Sequence, residues 1–164
     1  MVKVKNEGKR FEEDFSTSIM KENIFIYRLR DSSSGWNNGE KGRFTTKNIA
    51  DFISHNPLNG NIVLLECKSF KGKSCPFSNI TPYQIKGMYS YKKEYKGVQA
   101  YFIFNFRELE QTYAVDVEKI KELFESETRK SVSLQFCIDN GYLIRQEKKK
   151  VRYNYNIEDL FKIA

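Results

Sequence analysis

The 164-residue sequence has few of the side chains that form disulfide bonds and zinc sites. Its three cysteines are odd in number and lack the paired spacing of zinc ligands, so we expect neither disulfide bonds nor a zinc site. The single histidine, His55, excludes mechanisms that require two imidazole groups. Free thiols indicate a reducing compartment. We therefore predict a cytoplasmic protein, in a bacterium or in a virus-infected host cell.

Long hydrophobic runs are also missing. Residues 62–65 form a short apolar run, whereas a membrane helix needs roughly 20 such residues. No segment resembles a signal peptide, so we expect no membrane association. Aromatic residues, by contrast, are plentiful, with 13 Phe and 10 Tyr, and 40% of the chain is hydrophobic. This composition predicts a single folded domain over residues 1–164.

The charged residues are unbalanced toward the basic side. The chain has 28 Lys and Arg against 21 Asp and Glu, a formal net charge of +7. Such a surplus favours a polyanionic partner, because each neutralised phosphate releases counterions. Nucleic acid is the first candidate. The alternative is a basic protein without such a partner, since charge informs association rather than fold.

Hydrophobic periodicity and turn signals predict a mixture of helices and strands. Helices are predicted at residues 6–21, 81–95, 116–127 and 131–140, and strands at residues 24–29, 48–54, 61–69, 98–106 and 111–115. The helix at residues 81–95 begins with a capping box made by Thr81 and Gln84. The polar residues 31–47 are predicted to form a mobile loop or short stalk. This order predicts an α/β (α+β) fold, a mixed central sheet flanked by helices.

The most informative segment is residues 62–68, where an apolar run leads into Glu66 and Lys68. Four consecutive apolar residues are typical of a central strand that is buried on both faces. Glu66 and Lys68 would lie on one face of this strand and Cys67 on the other, because side chains alternate. An ionised group there is costly unless it is paired or bound to a metal.

The turn at residues 56–60 predicts the cross-strand neighbour of Glu66. If the hairpin is centred between Leu58 and Asn59, partner numbers sum to about 117 and Asp51 lies opposite Glu66. Like charges in such a pair destabilise the hairpin. Mg²⁺ would relieve this repulsion, because it binds a few carboxylate oxygens and keeps its water ligands. Lys68 would orient the attacking water or stabilise negative charge on a phosphate. The alternative is an exposed Glu–Lys pair at a strand end.

These residues match the D…(D/E)xK pattern, and the sequence resembles the RecU-type Holliday junction resolvases of the restriction-endonuclease-like nuclease superfamily. The matching segments stand in the family's order at residues 8–15, 51–52, 65–68, 73–77 and 84–88. The resemblance implies phosphodiester hydrolysis with Mg²⁺, or Mn²⁺ as a substitute, by a homodimer that resolves four-way DNA junctions in recombination and repair. Residues 31–47 depart from the family, because they are shorter and richer in Gly and Ser than its projecting stalk.

The resemblance also implies roles for individual residues. Asp51 and Glu66 match the metal-binding acids, the backbone carbonyl of Cys67 matches a further metal ligand, and Lys68 matches the catalytic lysine. Glu12 matches an acidic position that faces the metal on the first helix, although an ordinary solvated charge is an alternative. Gln84 matches a position near the site, and its capping-box role explains it equally well.

Basic residues around these segments are candidate DNA contacts, which would position phosphates rather than distinguish bases. They are Arg28, Arg30, Lys41, Arg43, Lys47, Lys71, Lys73 and Lys86. Trp36 is a candidate for stacking on an unpaired base, and a local packing anchor is its alternative. Residues 148–150 are interpreted as a solvated run of lysines. Rival functions are a nuclease for other branched or duplex DNA and a non-catalytic branched-DNA-binding module.

Overall fold

The helices and strands follow the hydrophobic pattern of the sequence over most of the chain. The computed structural model describes residues 6–30 and 47–164. The helices are α1 Glu7–Lys21, α2 Pro82–Glu94, α3 Val117–Glu125, α4 Leu134–Asn140 and α5 Ile157–Phe161. The strands are β1 Ile26–Arg28, β2 Phe52–His55, β3 Ile62–Phe70, β4 Ser74–Pro76, β5 Val98–Phe106, β6 Gln111–Asp116, β7 Ser131–Ser133, β8 Gly141–Leu143, β9 Gln146–Lys149 and β10 Arg152–Tyr155.

A mixed six-stranded sheet lies at the centre, in the order β1-β2-β3-β5-β6-β8. Strands β3 and β5 are parallel, and the other neighbouring pairs are antiparallel. Parallel neighbours need a crossover connection, and α2 lies in the segment that joins β3 to β5. Strands β4 and β7 form one small ladder, and β9 and β10 form a hairpin. The predicted α+β fold with a mixed central sheet is confirmed.

Two apolar layers bury the two faces of this sheet. One layer packs Phe102 and Phe104 of β5 against residues of α2 and α3, including Met88 and Ile120. The other packs α1 and α5 onto the opposite face, which includes Leu65 of β3. Because β3 is covered on both faces, a charged side chain in its interior loses its hydration and is surrounded by protein atoms. This makes Glu66 energetically unusual.

The predicted hairpin register is confirmed. Phe52 pairs with Leu65 and His55 with Ile62, so the partner numbers have the predicted sum along β2 and β3. The start of α2 is confirmed as well. The Thr81 hydroxyl accepts a hydrogen bond from the Gln84 backbone N–H, and the Gln84 side chain accepts one from the Thr81 backbone N–H. The first helix, β5 and the Asp116 cap of α3 also match their predictions.

Gly87 lets α2 lie close to the segment that precedes β2. A Cβ atom at this position would come within 2.5 Å of the Ile49 Cγ2 atom. Glycine in a helix interior costs about 1 kcal/mol relative to alanine, so the position favours close packing over helix propensity. The contact sets the distance between α2 and the residues that lead to Asp51.

The prediction of a helix from Ser131 is wrong at its start. Ser131–Ser133 is strand β7, which pairs with β4, and α4 begins only at Leu134 with Ser133 as its N-cap. Val132 is fully buried in the layer that also contains Cys75. A pairing with residues far away in sequence therefore overrides the local helical pattern. The strand predicted from residue 48 also begins later, at Phe52.

None of the helices in the described ranges combines the length and hydropathy that a membrane-spanning segment requires. The predicted loop or stalk at residues 31–47 lies outside the described residues, apart from the exposed Lys47. The same is true of Trp36, Lys41 and Arg43, so their proposed DNA contacts stay predictions.

Candidate active site

Asp51 precedes β2 and is fixed between the backbones of two neighbouring strands. Its N–H donates to the Leu65 carbonyl at 3.0 Å, and its carbonyl accepts from the Leu29 N–H at 2.8 Å. Its carboxylate Oδ2 accepts a hydrogen bond from the Cys67 N–H at 2.7 Å. Leu65 and Cys67 flank Glu66, so these bonds hold Asp51 beside Glu66, as the register predicts.

Glu66 is the most strongly perturbed carboxylate of this cluster. Only 2% of its surface is exposed. Burial, followed by repulsion from Asp51, raises the pKa of Glu66 to about 7 although Lys68 and Gln84 act in the opposite direction. Its Oε1 atom accepts a hydrogen bond from Gln84 and forms an ion pair with Lys68. Its Oε2 atom is buried and has no hydrogen-bond partner among the described residues.

Lys68 lies two residues along β3 on the same face as Glu66. Its Nζ atom is 2.7 Å from Glu66 Oε1. Burial lowers the pKa of Lys68, but the attraction of Glu66 and Asp51 outweighs burial, so the pKa is raised overall. The side chain is therefore a cation and hydrogen-bond donor near neutral pH. It is not a proton acceptor in this arrangement.

Gln84 performs both roles that the sequence allowed. Its side-chain oxygen completes the capping box of α2. Its Nε2 atom donates to Glu66 Oε1 at 2.6 Å. Because the cap fixes the side-chain oxygen, the amide nitrogen is oriented toward the sheet. The first turn of α2 therefore orients Glu66.

Glu12 of α1 lies near this cluster without joining it. Its carboxylate forms an ion pair with Arg28 of β1. Burial and then repulsion from Asp51 raise its pKa, whereas Arg28 and Lys68 lower it. The neighbouring Asp14 faces the other way and contacts Arg152 of the β9–β10 hairpin. Glu12 is therefore close enough to Asp51 to be repelled by it, and Arg28 holds it there. Glu13, by contrast, lines a cleft beside Asp51 and pairs with Arg152.

The residues present fit a small divalent cation held by oxygen atoms. The buried Glu66 Oε2 lacks a partner among the described residues, and an oxygen-ligated metal would satisfy it. Within residues 6–30 and 47–164, no three Asp, Glu, His or Cys side chains converge as a metal site. The candidate ligands are therefore the two carboxylates of Asp51 and Glu66 and the Cys67 carbonyl. The Cys67 thiol is buried among apolar residues of the opposite layer, and burial raises its pKa, which argues against thiolate ligation.

A shallow cleft of about 500 Å³ opens beside Asp51. Its walls include Arg28, Arg30 and Gln84, so two predicted DNA contacts border the site. Lys47, Lys71 and Lys73 are exposed on the neighbouring segments. Lys86 instead lines a different cleft between α2 and α3.

The family model for Recombination protein U matches residues 4–159, nearly the whole chain. The chain belongs to the Recombination protein U family. A relative from Bacillus subtilis (strain 168), the SPbeta prophage-derived uncharacterized protein YotM, is 31% identical over 170 residues. The alignment covers 94% of this chain and 85% of that protein. The predicted family resemblance is therefore confirmed.

A solved structure supports the same fold. This family member superimposes on Hjc, a Holliday junction resolvase from Archaeoglobus fulgidus, with a TM-score of 0.53 at 13% identity. The match covers 81% of this chain and 93% of that one. At this identity the likeness establishes the restriction-endonuclease-like fold alone.

Two features of the region around the site escaped the sequence-based prediction. The first is the pairing of Arg28 with Glu12, which the two-residue periodicity of β1 does not predict. The second is a polar chain that begins at Ser69, next to Lys68, and continues through Asn105. These polar residues interrupt two strands that are otherwise rich in apolar residues, and this interruption is the signal that could have identified them.

Proposed function

We propose that this Recombination protein U family member is a metal-dependent endonuclease that resolves four-way DNA junctions. The observation that supports the proposal best is the geometry around Glu66: Lys68 and Gln84 both contact its Oε1 atom, and the Cys67 N–H holds the Asp51 carboxylate beside it. Burial and mutual repulsion make this arrangement costly for folding. Such a cost is typical of a site selected for chemistry.

A Mg²⁺ ion, or Mn²⁺ in its place, would be held by Asp51, Glu66 and the Cys67 carbonyl, and would supply Lewis-acid activation of water and charge neutralisation at the phosphate. The Cys67 N–H fixes the orientation of the Asp51 carboxylate. Gln84 fixes that of Glu66 from the capped end of α2. These two hydrogen bonds prepare both acids before any ligand arrives, which reduces the reorganisation needed during the reaction.

Lys68 keeps its proton, because its pKa is raised. Its ammonium group can therefore donate a hydrogen bond to the attacking water or to a phosphate oxygen. Negative charge that develops on the phosphate in the transition state would be stabilised by this group. Arg28 would hold Glu12 near the site through its ion pair, in addition to its predicted contact with a DNA phosphate.

The substrate proposal rests on the family and on the structural neighbour from Archaeoglobus fulgidus, which is a Holliday junction resolvase. A four-way junction is nearly two-fold symmetric, so a homodimer would present one active site to each of two strands. Arg30, Lys47, Lys71 and Lys73 would contact the backbone of the arms, since all four are exposed basic residues. Branched DNA is thus the proposed partner.

The test compares labelled four-way junctions, flaps and linear duplex with Mg²⁺ present. Wild-type protein is expected to introduce symmetric cuts near the junction centre. Asp51→Asn and Glu66→Gln should each abolish cutting, and both variants should still bind the junction. Glu125→Gln is the matched control, because Glu125 forms an exposed ion pair within α3. It should cut like wild type.

The rival functions give different results in the same assay. Equal cutting of linear duplex would replace the junction resolvase with a general nuclease. Tight binding of junctions without any cutting would indicate a binding module. Activity that survives both Asp51→Asn and Glu66→Gln would place the chemistry elsewhere in the chain.

A further inference from the structure

A second cleft opens on the opposite face of β3 from Glu66 and Lys68. It has a volume of about 480 Å³ and lies between the first turns of α1, the ends of β3 and β5, and the β9–β10 hairpin. Its basic lining residues are Arg10, Arg107, Lys148 and Lys150. We call this region the hairpin cleft. We propose that the hairpin cleft binds the phosphate backbone of a DNA arm that leaves the active site.

The position of the hairpin cleft relative to the candidate active site supports this proposal. Ser69 lines the cleft and directly follows Lys68 in β3. Neighbouring strand residues point to opposite faces, so the cleft and the site open at the same end of β3, one on each face. A polyanion that passes over the end of this strand can therefore contact both.

The charge of the hairpin cleft fits a polyanion. Of its two acidic lining residues, Asp14 is already paired with Arg152 and accepts the Tyr153 N–H. Lys148 is bound to Glu110 at 3.0 Å. No carboxylate in the described part of the chain forms an ion pair with Arg10, Arg107 or Lys150. These three cations are available to phosphate groups, and among the described lining residues Glu7 is the one carboxylate besides the paired Asp14.

A hydrogen-bonded polar network lies on the side of the hairpin cleft that β3 and β5 form. Ser69 Oγ donates to Asn105 Oδ1 at 2.8 Å, and Asn105 Nδ2 donates to Thr112 Oγ1 at 2.9 Å. The Thr112 hydroxyl in turn donates to Gln146 Oε1 at 2.6 Å, which ties the network to the hairpin. A buried network with satisfied partners holds its members in one arrangement. The Arg107 guanidinium contacts Ser69 at 3.4 Å, so the network also supports one of the cations.

The turn of the hairpin contains a lysine in an unfavourable backbone conformation. Lys150 has a φ of 56°, in the left-handed region that glycine and asparagine favour. A lysine there costs on the order of 1 kcal/mol relative to glycine. The turn therefore places a long cationic side chain at the cleft at the expense of local stability. Lys149, one residue earlier, pairs with Glu147 and does not line the cleft.

DNA is preferred over an acidic protein partner because the cleft adjoins the proposed nuclease site. In this respect the inference rests on the proposed function. The charge and geometry of the cleft do not depend on cleavage, so binding can be measured without it. An acidic peptide is the competing occupant, and its binding is measured alongside that of DNA.

The test measures the affinity of a fluorescent four-way junction at several NaCl concentrations in EDTA, which suppresses cutting. Each lost phosphate contact reduces the slope of log K against log [salt] by about 0.9. Lys150→Gly should therefore lower the slope by about 0.9, and its combination with Arg10→Gln by about 1.8. Lys149→Gln, the matched control from the same hairpin, should leave the slope unchanged.

The Lys150→Gly substitution is not expected to unfold the protein, so a change in its slope reports on DNA binding. Glycine suits the φ of Lys150, so Lys150→Gly is expected to melt at or above the wild-type temperature. Unchanged slopes for Lys150→Gly would overturn the proposal, and so would equal losses for Lys149→Gln. Unchanged DNA binding with lost binding of a polyglutamate peptide would assign the cleft to acidic proteins instead. Wild-type cleavage with Mg²⁺ is measured in parallel. Cutting with unchanged slopes refutes only the hairpin cleft, and altered slopes without cutting refute only the nuclease.

Discussion

At the residue scale, Glu66 concentrates the energetic cost of the site. It is buried on an interior strand, it lies beside Asp51, and one of its oxygens has no partner in the described residues. Lys68 and Gln84 offset part of this cost through the other oxygen. Replacing Glu66 by a neutral isostere should therefore increase the free energy of unfolding of the metal-free protein and abolish the proposed cleavage. Stability and function would then change in opposite directions.

The pKa of Glu66 predicts how the stability of the metal-free protein depends on pH. Its folded-state pKa of about 7 lies above the ordinary value of 4.5, so the folded state holds a proton that the unfolded state releases. This stabilisation is complete below about pH 4.5 and is lost as pH rises through about 7. The loss amounts to about 3 kcal/mol in the free energy of unfolding. Urea unfolding in EDTA at pH 4.5 and pH 8 measures it.

Glu66→Gln is the matched variant for this measurement, because glutamine resembles the protonated acid. It should be more stable than wild type at pH 8 by about the same 3 kcal/mol, and similar at pH 4.5. Added Mg²⁺ should stabilise wild type at pH 8 but not the variant. Parallel pH curves for the two proteins would show that Glu66 ionises normally.

Lys68 is predicted to act on the reaction rather than on binding. Lys68→Ala removes a cation placed beside the metal-binding acids, and losses of one such stabilising group are about 10²- to 10³-fold in rate. The single-turnover cleavage rate should fall by this factor, while the junction affinity in EDTA changes little. Lys71→Ala is the control, since Lys71 is exposed in the following turn. Lys71→Ala should weaken junction binding and leave the single-turnover cleavage rate unchanged. Parallel losses of rate and affinity for Lys68→Ala would make Lys68 a phosphate clamp.

At the scale of elements, local sequence signals predicted the features that depend on residues close together in the chain. The turn at residues 56–60 and strand alternation were enough to fix the β2–β3 register and to bring Asp51 to Glu66. The capping box gave the start of α2. Pairing between distant segments was not predictable in this way. Strand β7 exists because β4 pairs with it, and the sequence around Ser131 favours a helix when considered alone.

The orientation of the lysines at residues 148–150 was likewise not predictable from the local sequence. In the sequence they form one run of like charges, which is typical of a solvated surface. The β9–β10 hairpin separates them: Lys148 and Lys149 alternate along β9, so Lys148 faces the hairpin cleft and Lys149 does not, and the turn after β9 brings Lys150 to the cleft. Only the pairing of β9 with β10 assigns these faces. Gln84 is similar, since its cap was predictable and its simultaneous contact with Glu66 required the packing of α2 on the sheet.

At the scale of the whole molecule, the one active site proposed for each chain would cut one strand, whereas resolving a junction requires two cuts. The proposed homodimer supplies them, and this predicts the products from a supercoiled plasmid that extrudes a cruciform. Wild type should convert it directly to linear DNA, because both strands are cut within one bound complex. Dimers that pair a wild-type subunit with an Asp51→Asn subunit should give nicked circles. Gel electrophoresis of the products over time measures the ratio.

Mixing wild type with Glu125→Gln subunits is the control for subunit exchange, and linear product should persist in that mixture. The Asp51→Asn subunit is suitable because the backbone hydrogen bonds of Asp51 do not depend on its charge. Linear product that is unaffected by Asp51→Asn subunits would mean that each chain cuts independently. A monomer in sedimentation at the protein concentrations that saturate the junction would lead to the same conclusion. Paired cutting would then have to arise from two successive binding events, and the nicked circle should accumulate even with wild-type protein alone.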